Sequence, residues 1–306
     1  MAINTLEYAK NFQQSLDKQM LVGATSGWME SNAQNVKYSG GDTVKMPEIS
    51  IGGLAKYDRD NGFNQGAVTL KYADYKLTQD RGRTFMLDAM DVDESNFVAS
   101  AGNVMGEFQR TQVIPEVDAF RYSKIAALAK GASHETATFT PDKTNVLEKL
   151  DDEIAKIQNI VGEGEPLVII MATSIRTILN NAKDITKYLD TADFKAGEIT
   201  TKVKTYNEIP ILSVPSARMK TAYVFNDGKT AGQEKGGFKL DTAAKGINWI
   251  IIARRAPIAV SKTDKIRIFE PNVNQKADAW KLDYRKFHDL WIPTNKLAGV
   301  WVNTGV

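Results

Sequence analysis

The 306-residue sequence has no cysteine and only two histidines, His134 and His288. Without cysteine there are no disulfides, no thiolate nucleophiles and no Cys-ligated zinc or iron–sulfur centres. Two histidines exclude a His-rich metal site, and His134-Glu135-Thr136-Ala137-Thr138 lacks the second histidine of a zinc-protease helix. His134 lies in a polar stretch after Gly131 and reads as a loop residue. His288, among Phe287, Leu290 and Trp291, reads as a half-buried strand position. Neither has the neighbours of an ordered Ser-His-Asp set. Charge of one sign is also scarce: 39 Lys and Arg oppose 37 Asp and Glu, a formal +2 with no like-charge run. That leaves no basic surplus for wrapping nucleic acid and no polybasic membrane anchor. The longest apolar run, Leu167 to Ala172, is far below the ~20 residues that cross a bilayer. Glu7 stands where a signal peptide needs its apolar region, so the expected compartment is the cytoplasm.

Phosphate and cofactor motifs are missing as well. Asp227-Gly-Lys-Thr230 imitates the end of a P-loop, but Tyr223 replaces the required upstream glycine, so it reads as a turn. Gly162-Glu-Gly-Glu-Pro166 follows a helix instead of a strand and reads as a helix stop. Asp88, Asp91, Asp93 and Glu94 form an acidic cluster without the Gly and Glu spacing of a calcium loop. They precede an apolar periodic segment, where a helix start favours carboxylates. No cofactor, metal or catalytic residue is expected.

What is present is an unusual order of segments in a length that suggests about two domains. Residues 1–35 are weakly amphipathic and then small and polar, with little to bury against themselves: an arm. From Val36 to Phe85 the pattern has period two, with Val44 and Met46, then Val68, Leu70 and Tyr72. After Asp74 the apolar parity flips to Tyr75 and Leu77, which predicts a bulge or a strand whose two ends face different partners. The polar, Gly-rich stretch from Gly52 to Gly62 separates the runs, giving a long hairpin that cannot bury its faces alone. Ser95 to Ala129 reads as a helix of roughly 50 Å, which Pro115 kinks or divides. Residues 140–245 read as an α/β unit, and 246–306 as short strands whose apolar faces need the long helix as cover.

This order resembles the tailed-phage major capsid proteins of the Hong Kong 97 fold, an α+β architecture. The carrying stretches are Asp80-Arg-Gly-Arg-Thr-Phe-Met-Leu-Asp-Ala-Met-Asp91, Val113-Ile-Pro-Glu-Val-Asp-Ala-Phe-Arg121 and Trp280-Lys-Leu-Asp-Tyr-Arg-Lys-Phe-His-Asp-Leu-Trp291, which look like capsid proteins of phages and prophages of low-GC Gram-positive bacteria. The resemblance implies an N-terminal arm (1–35), an extended hairpin loop with base strands (36–85) and a peripheral domain with a spine helix (86–139). It further implies an axial α/β domain (140–245) and returning strands of both domains (246–306). The implied function is a non-enzymatic subunit that self-assembles into hexamers and pentamers of an icosahedral head around double-stranded DNA, made in the host cytoplasm and resident in the virion. Implied partners are other copies, a separate scaffolding protein because the arm starts almost at Met1, a portal protein, and DNA without sequence preference. Lys56, Tyr57, Asp58, Arg59, Arg81, Arg83 and Asp91 are the expected subunit-interface residues. The family's type member crosslinks a Lys to an Asn; Lys56 is a conceivable donor and Asn272, Asn274 or Asn295 a conceivable acceptor. An encapsulin-type shell enclosing protein cargo is the alternative with the same fold. An α/β enzyme with its site in 140–245 is the remote one.

Overall fold

The computed structural model describes residues 23–35, 37–38, 41–59, 62–90, 101–182, 189–196 and 199–306. A 3-10 helix (Gly27–Asn35) leads to β1 (Lys37–Tyr38), β2 (Thr43–Ile51), β3 (Val68–Lys76) and β4 (Gln79–Asp88). Then α1 (Ala101–Phe108), a π-helical turn (Gln109–Val113) and α2 (Ile114–Gly131) run on as one long helix. Next come β5 (Glu135–Thr136), α3 (Val146–Val161), β6 (Leu167–Ala172), α4 (Thr173–Asn180), β7 (Leu189–Ala196), β8 (Ile199–Tyr206) and β9 (Ile209–Val214). The remainder is β10 (Tyr223–Phe225), β11 (Phe238–Leu240), β12 (Ile247–Ala253), β13 (Ile258–Phe269), β14 (Ala279–Trp291) and β15 (Val300–Thr304).

The largest sheet has seven strands in the order β5-β15-β12-β6-β9-β8-β7. Its inner strands β6 and β12 are buried along their whole length, which is why they read as uninterrupted apolar runs. Leu150, Ile154 and Ile157 keep helical spacing on α3 and bury against this sheet. Gly162, at φ +87°, ends α3 as the Gly-Glu-Gly stretch predicts. Trp249 Nε1 and Asn303 Nδ2 each donate to the buried Glu153 carboxyl at 2.7 Å, and burial pushes that carboxyl above its ordinary pKa.

A second sheet, β13-β14-β4, lies under the long helix. Met105, Val113, Ile114 and Val117 of the helix bury Leu282 and Tyr284, so the returning strands do use the helix as cover. The helix stays continuous, and Pro115 acts one turn earlier than a kink at its own position would. A proline inside a helix removes an N–H and crowds the carbonyl four residues back. Widening the ladder ahead of it relieves this, with Ile114 N–H donating to Gln109 O in the π spacing. Among the described residues no helix is long and apolar enough to cross a membrane.

The root of the arm departs from the sequence expectation. Trp28 and Met29 sit in the main core at 2% and 0% exposure, and Ser26 is fully buried. Residues 23–35 are therefore part of the folded body, and residues 1–22 lie outside the described residues. His288 is likewise fully buried, not half-buried, because Phe120 of α2 meets its ring edge-on at 5.4 Å.

Candidate assembly surface

The hairpin β2–β3 pairs continuously from Thr43↔Lys76 to Ile51↔Val68, so no bulge accounts for the parity flip. The flip divides the ribbon by face instead. Directly paired residues share a face. Near the base, Val44 pairs with Tyr75 and Met46 with Ala73; Val44 and Met46 are buried with Leu77, Ile258, Val260 and Trp291. Farther out, Pro47↔Tyr72 and Ile51↔Val68, with Leu70 between Tyr72 and Val68, occupy the opposite face. There Ile51, Val68, Leu70 and Tyr72 are at least half exposed. Fully burying one such side chain contributes about 1.5–3 kcal/mol, so this outer face carries a large stabilisation that one chain leaves unrealised. Pro47 lies where β2 extends past the short β1, the kind of edge position a proline tolerates.

The tip is closed by its own contacts. Asp58 and Gly62 exchange backbone hydrogen bonds at 3.2 and 2.8 Å, with Gly62 at φ +83°. Tyr57 and Phe63 meet edge-on at 5.0 Å, and Asn64 Nδ2 donates to Lys56 O at 2.7 Å. Lys56, Tyr57, Asp58 and Arg59 are all exposed on this tip, beside Leu54, which has no cover.

Arg81 and Arg83 share one face of β4 but do different work. Arg81 makes a two-pronged pair with Glu116 of α2 at 2.7 and 3.2 Å. It also donates to the carbonyls of Asn226 and Gly237, joining β4, helix and the β10–β11 loop inside one chain. Arg83 is exposed, with one 3.4 Å contact to Glu234 O. Asp91 lies outside the described residues. Asn274 spends its carboxamide on Ala279 O and Lys276 N–H at the β13–β14 turn; Asn272 and Asn295 are exposed.

Buried charges that sequence reading did not single out anchor these parts. Asp118 of α2, fully buried, accepts from Thr25 and Ser26 through both backbone N–H and hydroxyl, and from Arg218. Arg121 donates to Ser26 O and pairs with Glu30. Burial raises the Glu30 carboxyl, but the charges of Arg121 and Lys286 outweigh it and hold the group below its ordinary range. Asp289 accepts from Thr78 N–H and Oγ1, at 2.9 and 2.8 Å, and pairs with Lys124. Thus the arm root and the hairpin exit are both tied to the long helix. Among the described residues no group of three acidic or histidine side chains could hold a metal ion.

No protein-family model matches the sequence, and no curated protein does. Solved structures match over nearly the whole chain. The mature capsid of bacteriophage PhiM1 is 10% identical, covers 88% of this chain and 83% of its own, and has a TM-score of 0.58. A Gordonia phage Cozz structure is 14% identical over 91% and 86%, with a TM-score of 0.57. A virus-like particle from Pyrococcus furiosus is 11% identical over 97% and 99%, with a TM-score of 0.52. The chain has the α+β fold of phage major capsid proteins.

Proposed function

We propose that this protein is the structural subunit of an icosahedral phage-type head, assembling as hexamers and pentamers around double-stranded DNA and performing no catalysis. The observation that carries the reading is the hairpin ribbon, whose base packs on its own body while its outer half turns an apolar face outward. Such a face is stabilised only by docking on another copy, and repeating that contact around symmetry axes closes a shell. Lys56, Tyr57, Asp58, Arg59 and Arg83 contribute to that contact, together with Asp91. A scaffolding protein and a portal act as partners, and the near-neutral chain touches DNA without sequence preference. Assembly takes place in the bacterial cytoplasm and the product resides in the virion.

The second reading is an encapsulin-type compartment enclosing protein cargo, supported by the near-complete coverage shared with the Pyrococcus furiosus particle. Negative-stain microscopy of the protein, expressed alone and with its scaffold, tests the shell directly. Closed particles of uniform diameter are expected, and a discrete monomer at micromolar concentration under both conditions would overturn the proposal. Particles that package nucleic acid favour the phage head; particles that form unaided and copurify with one protein favour the compartment.

A further inference from the structure

A cavity of about 570 Å³ lies between β4, the long helix, β14 and the β10–β11 loop. Its hydrogen-bond accounting is one-sided. Each carboxylate that lines it is already supplied with donors. Asp80 takes Arg285 at 2.9 and 2.6 Å, Glu116 takes Arg81, and Asp227 takes the Lys229 and Thr230 N–H groups with the Thr230 hydroxyl. Two lining cations are likewise committed: Arg81 to Glu116, and Lys286 to Asp264.

Arg83 and Lys235 are not. Neither forms an ion pair with a described residue, and the 3.4 Å contact to Glu234 O uses one of the five Arg83 N–H groups. The Arg83 guanidinium lies beside a wall without side chains. A Cβ at Gly236 would come within 3.3 Å of Arg83 Nη1 and one at Gly228 within 4.0 Å, and both glycines have positive φ. Burial, and then the charges of Arg121, Lys286, Arg81 and Lys124, hold His288 neutral well below its ordinary pKa.

We infer that Arg83 and Lys235 form a binding site for a phosphate group, with the glycine wall leaving room for its oxygens. Two uncommitted cations match the nearly two charges that a phosphate monoester or free phosphate carries near neutrality, which a single carboxylate does not. A planar guanidinium and a compact ammonium lining one cavity are a pairing suited to several phosphate oxygens at once. A free phosphate carries both charges on one group, and a nucleic-acid backbone supplies them from two neighbouring phosphodiesters of one charge each.

Calorimetric titration of unassembled protein at low chloride, with inorganic phosphate in one arm and a ten-residue oligothymidylate in the other, tests the site. Arg83→Gln and Lys235→Gln change exposed side chains and leave the fold intact; Lys143→Gln is the remote control. Saturable binding is expected, weakened about tenfold by each variant and unchanged in the control, in line with the loss of one charged hydrogen-bond donor. Variant-sensitive binding of phosphate identifies a free ion as a competent source; variant-sensitive binding of the oligonucleotide alone identifies the backbone. Absence of saturable binding in both arms, or equal binding by the double variant and the wild type, would overturn the site.

Discussion

Lys124 of α2 reaches across to Asp289 of β14, and that ion pair also holds the exit of the hairpin through Thr78. Asp289 is fully buried. Removing one partner of a buried pair leaves the other charge uncompensated, at a cost of about 3–5 kcal/mol. Lys124→Met leaves the fully buried Asp289 carboxylate without its counter-ion and should lower the unfolding free energy in urea by an amount in that range, whereas Asp289→Ala leaves a partly solvated ammonium and should cost less. Equal stability of Lys124→Met and wild type would remove the pair from the account of the fold.

Exchange of Leu70 for Glu should act in the opposite way. The side chain is 57% exposed, so the isolated subunit should keep its unfolding free energy within roughly 0.5 kcal/mol. Light scattering and microscopy should show closed shells lost, as should deletion of residues 53–61 at the tip. Normal shells from Leu70→Glu would show that the outer face of the ribbon is not an assembly contact.

The two arginines of β4 should separate in the same assays. Arg81→Glu puts a carboxylate against Glu116 and should destabilise the monomer. Arg83→Glu should leave the monomer folded and weaken assembly, with partial recovery when Asp91→Lys is added. A folded, fully stable Arg81→Glu subunit would contradict its role as an internal tie.

His288 sets a pH dependence of defined sign. Its folded pKa lies well below 6.5, so the unfolded chain binds more protons as pH falls beneath that value, and stability declines with it. His288→Phe should flatten the fall in urea midpoint between pH 6.5 and about 5. The low folded pKa of Glu30 adds a further loss only below about 4.5, which Glu30→Gln should remove. Parallel pH profiles for wild type and His288→Phe would exclude the histidine as the origin.

Legibility in the sequence followed locality. The two-faced hairpin was readable because strand alternation reports a face directly, and the flip at Asp74 reported the change of face. The long helix was readable from its stripe, although the π turn was visible only as the position of Pro115. β4 was hidden because charges at Asp80, Arg81 and Arg83 break any apolar alternation at its start and its pairing partner, β14, is remote in sequence. β13 read as two short strands because Lys262 to Lys265 are polar and a register shift falls between Ser261 and Thr263. Nothing local marks Trp28, Asp118, Arg121 or Asp289 as buried. A charge enters a core only with its partner, and these partners come from distant segments.

The change of face along the hairpin also restricts how this chain can vary. Side-chain direction along a strand repeats every second residue. Adding one residue to each strand between the Val44↔Tyr75 pair and the Ile51↔Val68 pair would swing the outer apolar set round to the inner side. The arm of the hairpin can thus lengthen or shorten by paired residues in steps of two, while its tip beyond Gly52 is free to change by any number. Relatives that reach farther across a neighbour should differ in this stem by even counts, a pattern visible in sequences alone.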